Sequence, residues 1–207
     1  MAPDKRLAKI FSDQDLNLAT TAGHWVHVSK YRYVDSLLSA EGAQHSPGRY
    51  HRQGEIPALY FAQSPITALL EVGMLFGGPS EFVVRRGEPH LLVVVELEIP
   101  SAVLDMTDEA NHKLFKTEYQ ELTGEWLMSD NPATQRLGKA AYDSKRVVAI
   151  RYPSAKWRGE ELEPNLVVFR DRLCELRGAV MRAYDPQRDL PRKVKAIGRT
   201  PYNRRKR

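Results

Sequence analysis

The chain has 207 residues, 42% hydrophobic and 28% charged, with a single cysteine, Cys174. This composition excludes wholesale disorder, a disulfide framework and a cysteine-rich zinc site. The net charge of +5 is unevenly placed: residues 186–207 carry nine Lys/Arg against one Asp, so residues 1–185 are mildly acidic and do not read as a nucleic-acid-binding domain.

The longest apolar run, residues 91–95, is far too short to span a membrane, and no apolar stretch follows the first basic residues. A soluble, cytoplasmic protein is expected. From the N-terminus, residues 13–19 are expected to be helical and residues 24–29 (HWVHVS) a short strand. A helical turn over 35–40 leads into a loop at 42–57 rich in Gly, Pro, Ser and His; a loop of this length is more often functional than idle. Residues 59–62 read as a strand. Ser64 and Pro65 then mark a helix start as N-cap and first helical residue, and the Gly77-Gly78 pair marks its end. A strand over 90–99, helical segments over 107–128 and 134–142, and strands over 145–152 and 165–170 follow; 172–182 is ambiguous. The order is irregular. No G-x-G-x-x-G follows a strand and no phosphate-binding P-loop motif occurs, which disfavours a dinucleotide-binding doubly wound sheet or a P-loop fold. Three parts are expected: an N-terminal extension at 1–21, a main domain at 22–185, and a flexible basic tail at 186–207.

Glu71 is the one charge in the stretch 64–77 (SPITALLEVGMLFG). A helix apolar on nearly every side is a buried helix, and a carboxylate within it needs a partner or a cavity. Glu71 therefore stands either at the wall of a site or on a solvent-facing stripe. The turn GRYHRQG at 48–54 has two arginines, Arg49 and Arg52, between glycines; it is either an anion clamp or an exposed basic turn. Tyr60, in ALYFA, is either a wall of that site or a core residue. No H-E-x-x-H or G-x-S-x-G occurs, so a zinc protease and a serine α/β-hydrolase are disfavoured.

The succession G-R-Y, A-L-Y-F-A, S-P-x-T-A-L-L-E-V, T-Q-x-L-G, Y-P-S-A and N-L-V-V-F over residues 22–172 resembles the RES-domain family, toxins of bacterial type II toxin–antitoxin systems. On that resemblance Arg49, Tyr60, Glu71 and Ser154 occupy the family's catalytic positions, and Asn165 opens its last core strand. Pro47 and His51 depart from the family pattern, which commonly has Gly and Asn there. The resemblance implies a compact α+β domain, like an ADP-ribosyltransferase, with a split β-core and flanking helices. It implies NAD as substrate without a metal, bound by Arg49, Arg52, Tyr60 and Asn165, and cleavage of the nicotinamide–ribose bond by hydrolysis or phosphorolysis. It further implies a cognate helix-turn-helix antitoxin and a homodimer. Water or inorganic phosphate would be the acceptor; transfer of ADP-ribose to a protein is the alternative. A non-enzymatic protein binding nucleic acid or an acidic partner through its basic tail is the third reading.

Overall fold

The computed structural model describes residues 4–13, 16–190, 194 and 197. It is a mixed α/β domain, as expected. Its helices are α1 (Lys5–Ser12), α2 (Gly42–His45), α3 (Pro65–Glu71), α4 (Glu109–Phe115), α5 (Tyr119–Thr123), α6 (Ala133–Asp143) and α7 (Arg170–Glu175). Its strands are β1 (Ala19–Lys30), β2 (Ala58–Ala62), β3 (Leu75–Gly78), β4 (Glu81–Val84), β5 (His90–Asp105), β6 (Ala149–Pro153), β7 (Pro164–Phe169) and β8 (Val180–Ala183).

The main sheet runs β1-β2-β7-β6-β5-β8, and β1 also pairs with β5, so the pairings close into a ring. The ring is thinnest between β1 and β2, where a single registered pair, Val26 with Ala62, joins them. The long strand β5 pairs with β1 along one edge. Along the other it pairs with β8 through residues 95–98 and with β6, in parallel, through residues 103–105. Ser101, with φ of 44°, bends β5 between those two partners.

β7 is buried along its whole length, and its residues alternate between two cores as strand geometry requires. Leu166 and Val168 join Trp25, Phe61, Val95 and Leu97; Val167 and Phe169 join Tyr50, Tyr152, Leu104 and Ile150. Helix α1 closes the second core with Leu7 and Phe11. Its Asp4 cap accepts from the amides of Arg6 and Leu7.

Several elements differ from the sequence expectation. The first helix precedes residues 13–19, of which 16–18 are irregular and Ala19 already belongs to β1. The helical stretch at 107–128 is broken in two at Lys116, whose left-handed φ of 50° ends α4. The strand expected over 145–152 begins only at Ala149. The segment 172–182 divides between the end of α7, a turn and β8. The largest correction concerns α3. It ends at Glu71; Gly73, with φ of 69°, turns the chain, and Leu75–Gly78 form a hairpin with Glu81–Val84. Gly77, at φ of 101°, lies so close to the Glu81 carbonyl that a Cβ there would sit 2.2 Å from it. The glycine pair therefore serves the hairpin, not a helix stop. Nor is α3 buried all round: Thr67, Ala68 and Leu70 face inward while Ile66 is exposed.

Most of the segment 191–207 lies outside the described residues, and with it most of the expected flexible tail. Within it, Ile197 exchanges two backbone hydrogen bonds of 2.8 Å with Met181 on β8.

Candidate functional site

Register places the site at one end of the ring. Asn165, at the start of β7, lies abreast of Ala62 on β2 and Tyr152 on β6. The chain leaves β2 into the Ser64 cap of α3, whose last residue is Glu71, and leaves β6 into Ser154. Glu71, Ser154 and Asn165 therefore meet although 83 and 94 residues separate the glutamate from its partners.

Ser154 Oγ donates to Glu71 Oε1 at 2.6 Å, and Asn165 Nδ2 donates to the same oxygen at 2.7 Å. Ser154 Oγ in turn accepts from the amides of Lys156 and Trp157 at 3.2 and 3.1 Å. The serine thus caps the turn after β6 and orients the carboxylate at once. Hydrogen bonds onto a carboxylate are charge-assisted and fix its direction more firmly than neutral ones. Both donors converge on one oxygen. Among the described residues none reaches Oε2.

The arginine turn is built from its backbone outward. Gly48 and His51 exchange backbone hydrogen bonds of 3.0 and 3.3 Å, which closes the turn around Arg49 and Tyr50. The Tyr60 hydroxyl reaches across from β2 and accepts from the Tyr50 amide at 3.0 Å. His51 Nε2 lies 3.2 Å from the Ser46 carbonyl, which can only accept, so Nε2 carries the proton. His51 Nδ1 is then the acceptor for the Tyr60 hydroxyl at 2.9 Å. Burial pushes the Tyr60 phenol well above its ordinary range, against the Tyr50 amide and the Arg49 charge. Burial likewise pushes His51 down, so both rings stay neutral in this chain of donors. Any side chain at 48 would collide here: a Cβ would lie 2.4 Å from the Tyr60 hydroxyl.

Helix α6 supports the turn from behind. Gln135 is buried and its Nε2 donates to the carbonyls of Gly48 and His51 at 3.0 and 3.2 Å. At Gly138 a Cβ would lie 2.0 Å from the Tyr50 carbonyl, so only glycine permits this approach. The T-Q-x-L-G motif is explained by these two residues. The arginines themselves turn toward the segment 122–131. Arg49 Nη1 donates to the carbonyls of Leu122 and Gly124 at 2.9 and 3.0 Å. Its Nε and Nη2 have no partner among the described residues. Arg52 Nη2 donates to the Asp130 carbonyl and to Asn131 Oδ1.

Tyr152 ties the two halves together. Its ring packs 4.6 Å, centroid to centroid, from that of Tyr50. Burial raises its phenol well above the usual range, the neighbouring Tyr60, Glu71 and Tyr50 add to the rise, and Arg49 opposes it. Glu71, Tyr60 and Arg49 are thus all near enough to act electrostatically on one buried phenol. The structure brings together Arg49, Tyr60, Glu71, Ser154 and Asn165, while Arg52 sits farther along the same turn. Sequence reasoning assigned no role to Tyr152, Gln135, Gly138 or His51. All but the histidine lie inside the motifs that carried the resemblance.

A mixed α/β domain with a fixed carboxylate and an arginine-bearing turn at one end of a ring of strands is the class of protein that fold and site define. The RES-domain family model matches residues 24–192, and the chain belongs to that family. Among solved structures, a chain of the M. tuberculosis MbcT–MbcA toxin–antitoxin complex has a similar fold, with a TM-score of 0.59 and 15% identity. The match covers 88% of this chain and 91% of that one. None of the curated proteins matches.

Proposed function

We propose that this chain is the toxin of a toxin–antitoxin pair and that its site cleaves the nicotinamide–ribose bond of NAD. The observation that carries this reading is the Glu71 carboxylate, held on one oxygen by Ser154 and Asn165 with the other oxygen open. Cleavage of an N-glycosidic bond develops positive charge on the ribose ring, as in glycoside hydrolysis. A preorganised carboxylate stabilises that charge without having to reorient. In this mechanism Glu71 Oε2 accepts from a ribose hydroxyl and faces the anomeric carbon. The free Nε and Nη2 of Arg49 bind a pyrophosphate oxygen, with Arg52 assisting. Tyr60 forms the aromatic wall against nicotinamide. The C1′–N bond breaks with its electron pair passing to the ring nitrogen, so nicotinamide leaves as a neutral base and needs no metal to assist it. The anomeric carbon then takes an oxygen from water or phosphate, and the proton of that nucleophile is released.

Family membership and the solved toxin–antitoxin complex of similar fold support the toxin role. An apolar hairpin runs directly from Glu71, with Phe76 48% and Val84 70% exposed, and gives a protein antitoxin a surface beside the site. The test is incubation of purified chain with NAD, with and without phosphate, and separation of the products. Nicotinamide should appear together with ADP-ribose or its phosphorylated form. Labelled protein in place of free ADP-ribose would assign the chain to protein ADP-ribosylation, and no nicotinamide under any of these conditions would refute the reading.

A further inference from the structure

We propose that the first turn of α6 forms a second ligand site, for a single tetrahedral oxyanion of the phosphate class. The helix is 11 residues long and begins after Pro132, which provides no side-chain cap. The amides of Ala133, Thr134 and Gln135 have no acceptor among the described residues. Unpaired first-turn amides and the helix dipole favour a negative charge at this position.

A cavity of ≈ 60 Å³ opens here, and Ala133, Thr134 and Arg136 contribute to its wall. Thr134 is 2% exposed, and its Oγ1 is buried with no hydrogen-bond partner. A buried hydroxyl is normally paired, so an unpaired one on a residue of the cavity wall marks a place where a polar ligand fits. Three cations from three different elements face the same cavity: Arg6 from α1, Lys116 from the end of α4, and Arg136. Arg6 commits Nη1 to the Phe115 carbonyl, whereas the Arg136 guanidinium has no partner among the described residues. Glu121 is the one acidic side chain in the wall, and its Oε2 accepts from Thr117 Oγ1. The balance is two positive charges facing uncapped amides. The cavity has room for one oxyanion and not for a nucleoside. None of Arg49, Tyr60, Glu71 or Ser154 lines it.

The experiment titrates the full chain with inorganic phosphate by calorimetry and by thermal melting. Wild type should bind phosphate saturably and melt higher as it does so. Arg136→Gln, a change at a half-exposed position, and Thr134→Val should each weaken binding at least tenfold. Thr134→Val discriminates further, because it removes an unpaired buried hydroxyl. It should melt no lower than wild type in anion-free buffer and yet lose the phosphate-induced rise. Glu71→Gln should bind phosphate as wild type does, so failure of NAD cleavage and failure of this site are separate results. A parallel titration with AMP on wild type and Arg136→Gln separates the sources: AMP binding that Arg136→Gln leaves unchanged belongs to the NAD site and marks this one as a site for a free oxyanion, whereas AMP binding that falls with Arg136→Gln marks a phosphate carried by a nucleotide. Absence of saturable phosphate binding, or undiminished binding in both variants, overturns the proposal.

Discussion

The two charged groups of the candidate site are held in different ways. Glu71 is positioned through its own carboxylate, by Ser154 and Asn165, at the last residue of a seven-residue helix that gives way at once to an exposed hairpin. Arg49 is positioned through the backbone of its turn, which Tyr60, Gln135 and the bare Cα of Gly138 hold from three elements. A group that must present one particular oxygen needs its side chain fixed. On the proposed reading, a group that must meet a phosphate needs a rigid base, and Arg49 is pinned besides at Nη1 by the Leu122 and Gly124 carbonyls, with its other nitrogens open. Damage to the carboxylate should therefore appear in chemistry, and damage to the turn in stability and binding.

The largest effect expected is that of Glu71→Gln, which keeps the volume but removes the charge. On the proposed mechanism turnover of NAD should fall by about two to three orders of magnitude, roughly 3–4 kcal/mol in the transition state. Affinity for NAD and the melting temperature should change little; near-normal turnover would remove Glu71 from the chemistry. The contrast is drawn most sharply by Gly138→Ala. Its methyl would press on the Tyr50 carbonyl, and overpacking of this kind costs about 2–3 kcal/mol. Chemical denaturation should show that loss, and a variant as stable as wild type would mean that α6 does not constrain the turn. A smaller effect is expected from Gln135→Leu. Each carbonyl it abandons retains a backbone hydrogen bond across the turn, so the stability loss should be about 1–2 kcal/mol. KM for NAD should rise more than kcat falls; the reverse split would place Gln135 nearer the reacting atoms.

The smallest effect is a pH dependence set by two histidines, His51 in the turn and His27 on β1. Burial holds His51 below its ordinary value of 6.5, and His27, whose Nδ1 donates to the Tyr60 carbonyl, is lowered for the same reason. In the unfolded chain both protonate near 6.5, whereas the folded protein resists protonation. Their contribution to stability is thus complete above about pH 6.5 and is lost as pH falls through the lowered folded values. Melting temperatures measured downward from pH 7 should decline, and His51→Gln should flatten part of the decline while leaving the share due to His27.

Legibility in the sequence followed the range of the cause. Strand β2 announces itself through its aromatic and aliphatic run, β7 through Val167 and Val168 between Leu166 and Phe169, and helix α6 through helical spacing, all of them local signals. The end of α3 did not. The run VGMLFGG is apolar enough to continue a helix, and only Gly73 in a left-handed conformation, followed by pairing with 81–84, turns it into a hairpin. The five residues brought together around Glu71 and Arg49 were legible because they fall in ordered motifs. Their supports were not, since Gln135 reaches carbonyls 87 and 84 residues away and Tyr152 acquires its meaning from Tyr50 and Tyr60. His51 is the clearest case. As a departure from the family pattern it looked like a loop variation, yet it is buried and completes the neutral chain Tyr50–Tyr60–His51–Ser46.

The position of β7 in the ring has a consequence for the newborn protein. β2 has one registered pair with β1 and takes the rest of its pairing from β7, more than a hundred residues later. Pairings so distant in the chain form late, because the loop between them must close first. A nascent chain still on the ribosome can carry Arg49, Tyr60 and Glu71 and yet lack the strand that brings Asn165 between β2 and β6. Synthesis must run past Phe169 before these residues can meet, so on the proposed function a truncated translation product ending earlier should be inert.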